Sequence, residues 1–202
     1  ILNADDLRSL LSVDGTGVMV GVISDGVYNW EDVKAWGDLP DSINIDQARP
    51  GGYGKNEGTA MLEIIYDLAP GADLYFSGPQ YSSELAASID WLVAQGCDVI
   101  VDDLSTKDAP FFEDGDVALA ALDAIDEGVV YVSAAGNYAQ KHYQGQFDGN
   151  ANSLHEFAQG DIYLTFDLAS GKKIEATLEW SDQWGASGND YDLYLCKKNG
   201  GS

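Results

Sequence analysis

Basic residues are scarce in this sequence of 202 residues, which has 10 Lys and Arg against 34 Asp and Glu and a formal net charge of −24. Nucleic-acid binding needs clustered Lys and Arg, and an anionic membrane surface repels a chain of this charge. We therefore expect neither nucleic acid nor membrane as a partner. The acidic residues are spread along the chain, which indicates a surface adapted to solubility or salt.

Long apolar runs and cysteines are also few. No stretch approaches the roughly 18 apolar residues of a membrane-spanning helix. The two cysteines lie far apart, and Cys97 stands in an apolar stretch, which predicts a buried free thiol rather than a disulfide or a metal ligand. The sequence starts at Ile1 without a basic and apolar leader, which fits a processed or excised segment that a signal peptide once preceded.

Strands and helices alternate over the first 140 residues. Apolar runs typical of buried strands occupy residues 18–23 and 98–102, and residues 72–77 and 129–133 are also predicted as strands. Helical spacing or Ala-rich and Leu-rich composition predicts helices over residues 58–68, 82–95 and 114–127. This alternation predicts an α/β domain with a parallel sheet covered by helices on both faces.

The composition changes after about residue 140, where Gly, Asn, Gln and Asp become common. Apolar and polar residues then alternate over residues 161–167, 173–180 and 191–195. Such alternation is typical of half-buried antiparallel strands. We expect the start of a small antiparallel β-sandwich over residues 155–202, with a domain boundary at about residues 142–155.

Functional groups in open parallel sheets gather at the carboxyl ends of the strands. Asp25 follows the first of the predicted strands, Asp103 the third and Asn137 the fourth, while Glu57 begins a predicted helix. The sequence therefore predicts a cleft that holds these four residues. Crowded carboxylates push each other's pKa values apart, which suits acid–base chemistry.

Three segments resemble those of subtilisin-type serine peptidases, in the same order and with similar spacing. They correspond to the segment with the catalytic Asp, the His-Gly-Thr helix with the strand after it, and the oxyanion-hole segment. In this sequence they read Gly15-Thr-Gly-Val-Met-Val-Gly-Val-Ile-Ser-Asp-Gly-Val, Glu57-Gly-Thr-Ala-Met with Leu68-Ala-Pro-Gly-Ala-Asp-Leu-Tyr, and Val132-Ser-Ala-Ala-Gly-Asn. The resemblance covers about residues 1–140, and we assign residues 1–142 to the N-terminal part of such a domain.

The chain differs from the subtilisin pattern at two positions. Glu57 stands where subtilisins have His, and the related sedolisins use Glu as the general base of a Ser-Glu-Asp set. Asp25 stands one place later than the Asp of the subtilisin pattern Val-Ile-Asp-Ser-Gly. The resemblance implies a serine endopeptidase that acts on polypeptides and needs no cofactor. Glu57 would be its base, Asp25 would support Glu57, and Asn137 would stabilise the oxyanion.

The nucleophile of such a peptidase lies in Gly-Thr-Ser before a helix, and this chain has no such segment. The pairs at 15–16 and 58–59 do not precede Ser, and no helical pattern follows Ser187. We therefore expect the nucleophile beyond this chain, in a remaining part of the peptidase domain that acts as its partner. The 202 residues alone should be inactive. His142 and His155 are expected in surface loops.

The tail contains Trp180-Ser-Asp-Gln-Trp and Asn189-Asp-Tyr-Asp-Leu-Tyr-Leu. In these segments it resembles small β-sandwiches that are appended to, or inserted in, secreted bacterial peptidases. The resemblance implies a secreted protein and an insertion that interrupts the peptidase domain. Asp182, Asp190 and Asp192 cluster in this tail. Their carboxylates are the kind of oxygen ligand that calcium prefers, and tight-turn or surface positions are the alternative.

Structural roles remain open for each candidate. Asp25 could bind turn amides or a helix N-terminus, Glu57 could stabilise the dipole of its helix, and Asn137 could be a turn residue. Asp102 and Asp103 are expected as solvated strand ends, and Asp103 is also a candidate for contact with substrate or with Glu57.

Two other functions follow from these alternatives. The first is a non-catalytic subtilisin-like domain kept for binding or scaffolding. The second is a nucleotide-binding domain, suggested by the glycines of residues 15–26. Those glycines precede the strand, whereas a phosphate-binding loop follows one.

Overall fold

A computed structural model describes residues 3–197, which divide into two compact units. The first unit comprises the residues up to Ala135 together with Trp180–Tyr191. The second comprises Gly136–Glu179 and the residues from Asp192 onward. All the helices and strands of the described residues belong to the first unit.

Helices and strands alternate through the first unit. In chain order they are α1 (Ala4–Leu11), β1 (Met19–Ile23), α2 (Trp30–Trp36), β2 (Asn44–Pro50), α3 (Glu57–Leu68), β3 (Asp73–Gly78), α4 (Leu85–Gln95), β4 (Val99–Asp102), α5 (Asp116–Asp126) and β5 (Val130–Ser133). A 3₁₀ turn at Ser82–Glu84 leads into α4. Within residues 3–197 no helix is long and apolar enough to cross a membrane.

The five strands form one parallel sheet in the order β2-β3-β1-β4-β5. This confirms the α/β class and makes the unit a Rossmann-like domain. The chain leaves the central β1 toward β2 on one side and later crosses to β4 and β5 on the other. In such sheets, ligands bind at the carboxyl ends of the strands where the direction of winding reverses.

Helices pack on both faces of the sheet. Successive β1 side chains point to opposite sides, so they contribute to two separate cores. Val20 and Val22 belong to one buried core with Leu62 of α3. Ile23 belongs to a second core with Leu92 of α4 and with residues of α5. Gly21 lies directly beneath α4, since a Cβ there would be 2.8 Å from a Leu92 methyl carbon.

The expected free thiol is confirmed for Cys97, which is buried in the core below α4 and α5. Burial, together with the nearby charge of Asp98, raises the pKa of this thiol to about 12. Such a thiol is protonated and unreactive at neutral pH.

Three elements had no clear pattern in the sequence: α1, α2 and β2. β2 is an edge strand of mostly polar residues, and it buries a charge instead of an apolar face. Asp46 is 3% exposed and forms an ion pair with Arg49 at 2.7 Å. It also accepts a hydrogen bond of 3.0 Å from Ser77 of β3. Hydrophobic periodicity cannot reveal a strand of this kind.

The predicted start of an antiparallel sandwich is not found among the described residues. No strand ladder forms in the described part of residues 155–202, where bridges such as Ala158↔Asp161 are isolated. Alternation produces a strand only when a partner accepts the backbone hydrogen bonds and covers the apolar side. Tyr163 and Leu195 remain 60% and 72% exposed, so no such partner covers them.

Candidate functional site

Two loops at the carboxyl edge of the sheet hold Asp25 in place. The Gly52 N–H donates to the Asp25 carbonyl at 2.8 Å, and Gly26 and Gly51 form an isolated antiparallel bridge. Glycine is required in this contact, because a Cβ on Gly26 would lie 2.7 Å from the Lys55 Cβ. The loop after β1 is therefore joined closely to the loop before α3.

The Asp25 carboxylate lies at the N-terminus of α3. Its Oδ1 accepts a hydrogen bond of 3.1 Å from the backbone N–H of Glu57, and its Oδ2 is 3.6 Å from Lys55 Nζ. The partial positive charge of the helix N-terminus stabilises a carboxylate in this position. This contact is the helix N-terminal interaction that the sequence left open for Asp25, and it brings Asp25 next to Glu57.

Glu57 is the first residue of α3, and its side chain is exposed. The next residue, Gly58, packs directly on the sheet. A Cβ on Gly58 would lie 2.5 Å from a ring carbon of Phe76 and 2.8 Å from the Gly26 carbonyl oxygen. The missing side chain thus lets the first turn of α3 lie close to β3. This contact fixes the position of the Glu57 backbone, from which the carboxylate extends.

Asp103 follows β4, and its backbone N–H reaches the Ile23 carbonyl of β1 at 3.4 Å. Its Oδ1 is buried and has no hydrogen-bond partner. The pKa of Asp103 is raised, first by burial and further by the negative charges of Glu57 and Asp25. The fully buried Ser24 hydroxyl lies beside this carboxyl and opposes the rise, although the two groups do not reach hydrogen-bond geometry.

Three of the four residues of the predicted cleft therefore lie together: Asp25, Glu57 and Asp103. They come from the carboxyl ends of the adjacent strands β1 and β4 and from the N-terminus of α3. Like charges at close range favour a state in which one carboxyl keeps its proton. Burial and the neighbouring charges of Glu57 and Asp25 favour the protonated form of Asp103.

Asn137 lies four residues beyond β5, is exposed, and belongs to the second unit. Its role in an oxyanion hole stays a prediction. The pairing of β4 with β5 extends one residue beyond β5, since the Ala134 N–H donates to the Asp102 carbonyl at 3.0 Å.

The expectation of a solvated strand end is wrong for Asp102, which is 5% exposed. Its carboxylate accepts hydrogen bonds from Tyr131 at 2.7 Å and from Ser133 at 2.9 Å, both on β5. Burial raises the pKa of Asp102, and these two hydrogen bonds oppose the rise. Asp102 thus joins β4 to β5 and does not face solvent.

Ser187 lies in a tight turn of the first unit. Its Oγ is 2.7 Å from Asp182 Oδ2 and accepts a hydrogen bond of 2.8 Å from Trp180 Nε1. The Asp182 carboxylate also accepts from the Gly188 and Asn189 N–H groups. Hydrogen bonds from Ser187 and Asn189 lower the pKa of Asp182, as expected of a turn carboxylate.

The calcium prediction gains no support from this turn, because donors of the chain already occupy the Asp182 oxygens. No group of three or more His, Cys, Asp or Glu residues within 3–197 is arranged to hold a metal ion. Asp192 bonds to the Tyr194 hydroxyl at 3.1 Å in the second unit.

Both histidines belong to the second unit. His142 is exposed, as expected of a loop residue. His155 is half-buried in the second unit, where its Nε2 is 2.9 Å from the Tyr143 hydroxyl. Its ring also packs against those of Phe147 and Phe157.

Two residues that contact the carboxylates could not be identified from the sequence, because no motif assigns either of them a role. Ser24 is buried beside Asp103, and Lys55 pairs with Asp25. The one hint is the shift of Asp25 by one place relative to the subtilisin pattern. Because of that shift Ser24, and not an acid, occupies the buried position after β1.

Fold and site together define a Rossmann-like α/β domain with carboxylates at the carboxyl edge of its sheet. Comparison with models of known protein families gives no match, and comparison with curated proteins gives none.

Proposed function

We propose that this chain is the N-terminal part of a secreted serine endopeptidase with Glu57 as its general base. The nucleophilic serine lies outside the 202 residues. The observation that carries the proposal is the group formed by Asp25, Glu57 and Asp103 at the carboxyl edge, where the winding of the sheet reverses. The resemblance of the three sequence segments to the subtilisin and sedolisin pattern supports the same activity.

Each carboxylate has a separate role in this proposal. The serine hydroxyl attacks the peptide carbonyl while Glu57 takes its proton, and Glu57 then gives the proton to the leaving amine. Asp25 positions the first turn of α3 through the Glu57 N–H. Asp103 holds a proton beside Glu57 at acidic pH, or contacts the substrate. Asn137 donates to the oxyanion, and its loss should lower turnover by about 10²–10³.

The assay uses the complete protein that contains residues 1–202, with an unfolded protein as substrate at pH 3–6. Glu57→Gln should lower kcat/KM by about 10²–10⁴, because the amide cannot take a proton. Glu63→Gln on the same helix is the control and should leave kcat/KM unchanged. An activity optimum above about pH 8 would contradict Glu57 as base, since Glu titrates near 4.3 in isolation.

The 202 residues by themselves should not cleave the same substrate. Cleavage by the isolated chain that Glu57→Gln abolishes would contradict the placement of the nucleophile outside it. A Gly-Thr-Ser followed by a helix within about a hundred further residues would support the peptidase.

The alternative function is a non-catalytic subtilisin-like domain for binding or scaffolding. It is favoured by the Asp25 contact, which needs no catalytic explanation because a carboxylate at a helix N-terminus is stabilising. The two functions differ in their response to a fluorophosphonate probe. The peptidase should be labelled covalently on serine in the complete protein, and the scaffold should not.

A further inference from the structure

A buried ion pair lies within β2, the edge strand next to β3. The side chain of Asp46 is 3% exposed and that of Arg49 is 16% exposed, and Asp46 Oδ2 is 2.7 Å from an Arg49 guanidinium nitrogen. Taking two charges out of water is costly, and apolar residues of similar size often stabilise a fold as well or better. Stability alone therefore does not account for a charged pair in this position.

Arg49 connects three elements of the first unit. Besides Asp46 on its own strand, it donates from Nη2 to the Ala87 carbonyl of α4 at 2.9 Å and from Nε to the Ser77 hydroxyl of β3 at 3.4 Å. Ser77 also donates to Asp46 at 3.0 Å. A planar guanidinium bonds several partners in fixed directions, which the point charge of a lysine does not reproduce. The side chain of Arg49 thus fixes β2 relative to both β3 and α4.

The same pair lies where β2 changes its course. The register between β2 and β3 shifts between Ile45 and Pro50, and Asp46 and Arg49 both lie in the shifted stretch. Inside it, Asp46 Oδ1 accepts a hydrogen bond of 2.9 Å from the Ala48 N–H. An irregularity of this kind bends the strand that contains it. The ion pair therefore holds the direction in which the chain leaves β2.

The chain that leaves β2 goes directly to the candidate site. Gly51 forms the bridge to the loop after β1, and the Gly52 N–H donates to the Asp25 carbonyl at 2.8 Å. The loop of residues 51–56 then ends at Glu57, whose own N–H donates to the Asp25 carboxylate. A fixed position at the end of β2 thus limits the movement of both carboxylates.

The backbones at this junction are in close contact. A Cβ on Gly78 of β3 would collide with the Gly51 backbone, and a Cβ on Gly51 would lie 2.6 Å from the Gly26 Cα. Gly51 also has φ +90°, in the region that favours glycine. Closely packed atoms transmit a displacement instead of absorbing it. A shift of β2 would therefore displace the loop that holds Asp25.

We propose that Arg49 is a positioning residue for Asp25 and Glu57, and that its ion pair with Asp46 anchors the loop of residues 51–56. The effect on activity rests on the proposed function, whereas the effect on the loop does not. A displacement of about 1 Å in a reacting group can cost about 10²-fold in rate. Loss of Arg49 should lower kcat and leave KM nearly unchanged, because a displaced base weakens an interaction made only in the transition state.

Two variants remove the guanidinium with different effects on stability. Arg49→Met leaves the Asp46 charge buried without a partner, which is strongly destabilising, whereas the double variant Asp46→Asn with Arg49→Met removes both charges and is milder. The Asn side chain keeps an oxygen for the Ala48 N–H. In the complete protein that contains residues 1–202, we expect kcat to fall by about 10²-fold in both variants, although their Tm values differ. Arg49→Lys keeps the charge and should restore the Tm more fully than kcat.

Hydrogen exchange measured by mass spectrometry in the same complete protein tests the loop directly. Both variants without the guanidinium should exchange the amides of residues 51–57 faster, because a loop without its anchor opens more often. Ala124→Gly is the matched control. Ala124 is 1% exposed on α5, which contacts β5 at the edge of the sheet opposite β2. Glycine in a helix lowers stability, so the control should lower the Tm without changing kcat or the exchange of residues 51–57.

Two results would overturn the proposal. The first is a kcat that follows the Tm across Ala124→Gly and the Arg49 variants, which is the behaviour of a residue with a purely structural role. The second is exchange of residues 51–57 at the wild-type rate in the double variant. If Arg49→Met does not fold, the double variant alone decides both measurements.

Failure of the positioning role is separable from failure of the peptidase. A complete protein without activity sensitive to Glu57→Gln would reject the peptidase, and hydrogen exchange would still show whether Arg49 anchors the loop. Activity that is lost with Glu57→Gln but unchanged in the double variant would reject the positioning role alone.

Discussion

Aspartates of this chain behave differently because their surroundings differ. The Asp25 carboxylate has a helix N–H and a lysine for partners. Asp102 is buried, with two hydroxyl donors. Asp103 has a buried oxygen without a partner and two negative neighbours, and burial together with those charges raises its pKa. The behaviour of each aspartate in the site therefore depends on its burial and on the groups beside it, and not on its residue type alone.

The raised pKa of Asp103 predicts how stability depends on pH. The folded state binds this proton more tightly than the unfolded state, whose Asp titrates near 3.8. Stability should therefore fall as the pH rises from about 3.8 through the raised pKa of the folded state. Asp103→Asn has no such proton and should flatten that part of the profile. Urea unfolding of both proteins at a series of pH values measures the difference, and parallel profiles would contradict the prediction.

At the scale of elements, the first turn of α3 is the segment that positions Glu57 against the sheet. Asp25 holds it through one backbone hydrogen bond, and Gly58 lets it lie against Phe76. The Glu57 carboxylate therefore depends on a close contact between helix and strand, since any side chain at Gly58 would push α3 away from β3.

Gly58→Ala tests this contact. Alanine is the better helix former by roughly 0.5–1 kcal/mol, but overpacking a tight contact costs about 1–3 kcal/mol. We expect a net loss of stability in urea unfolding and, in the complete protein, a loss of kcat/KM. Gly188→Ala is the control, because no atom lies within 4 Å of a Cβ there. A Gly58→Ala protein as stable as the wild type would show that the helix does not rest on Phe76.

The molecule as a whole carries an excess of 24 negative charges. Self-repulsion of this size opposes the compact state, and it adds to the cost of bringing three carboxylates together at one edge of the sheet. The strength of that repulsion depends on ionic strength, because the Debye length falls from about 30 Å at 0.01 M to about 3 Å at 1 M salt.

We therefore expect the Tm to rise between 0.01 and 1 M NaCl. For a chain of this size a gain of about 1 kcal/mol corresponds to about 2–4 °C. Differential scanning calorimetry measures the shift. KCl at equal ionic strength should have the same effect, because screening does not depend on which cation is present. A Tm that falls or stays constant with salt would contradict a role for self-repulsion.

Local pattern alone predicted four strands and three helices of the first unit to within about two residues at most ends. It also placed Asp25, Glu57 and Asp103 at one edge, because carboxyl ends of parallel strands meet there. These features depend on side-chain periodicity and chain order, both of which are written in the sequence.

Only the tertiary structure decided which groups are buried and which segments pair. Asp102 is buried because β5 supplies two hydroxyls to it, and the polar β2 forms because Arg49 and Ser77 accompany Asp46 into the interior. The alternating pattern after residue 155 forms no sheet, because no strand lies beside it in the described residues. Burial and pairing depend on partners far along the chain, and a local pattern carries no information about those partners.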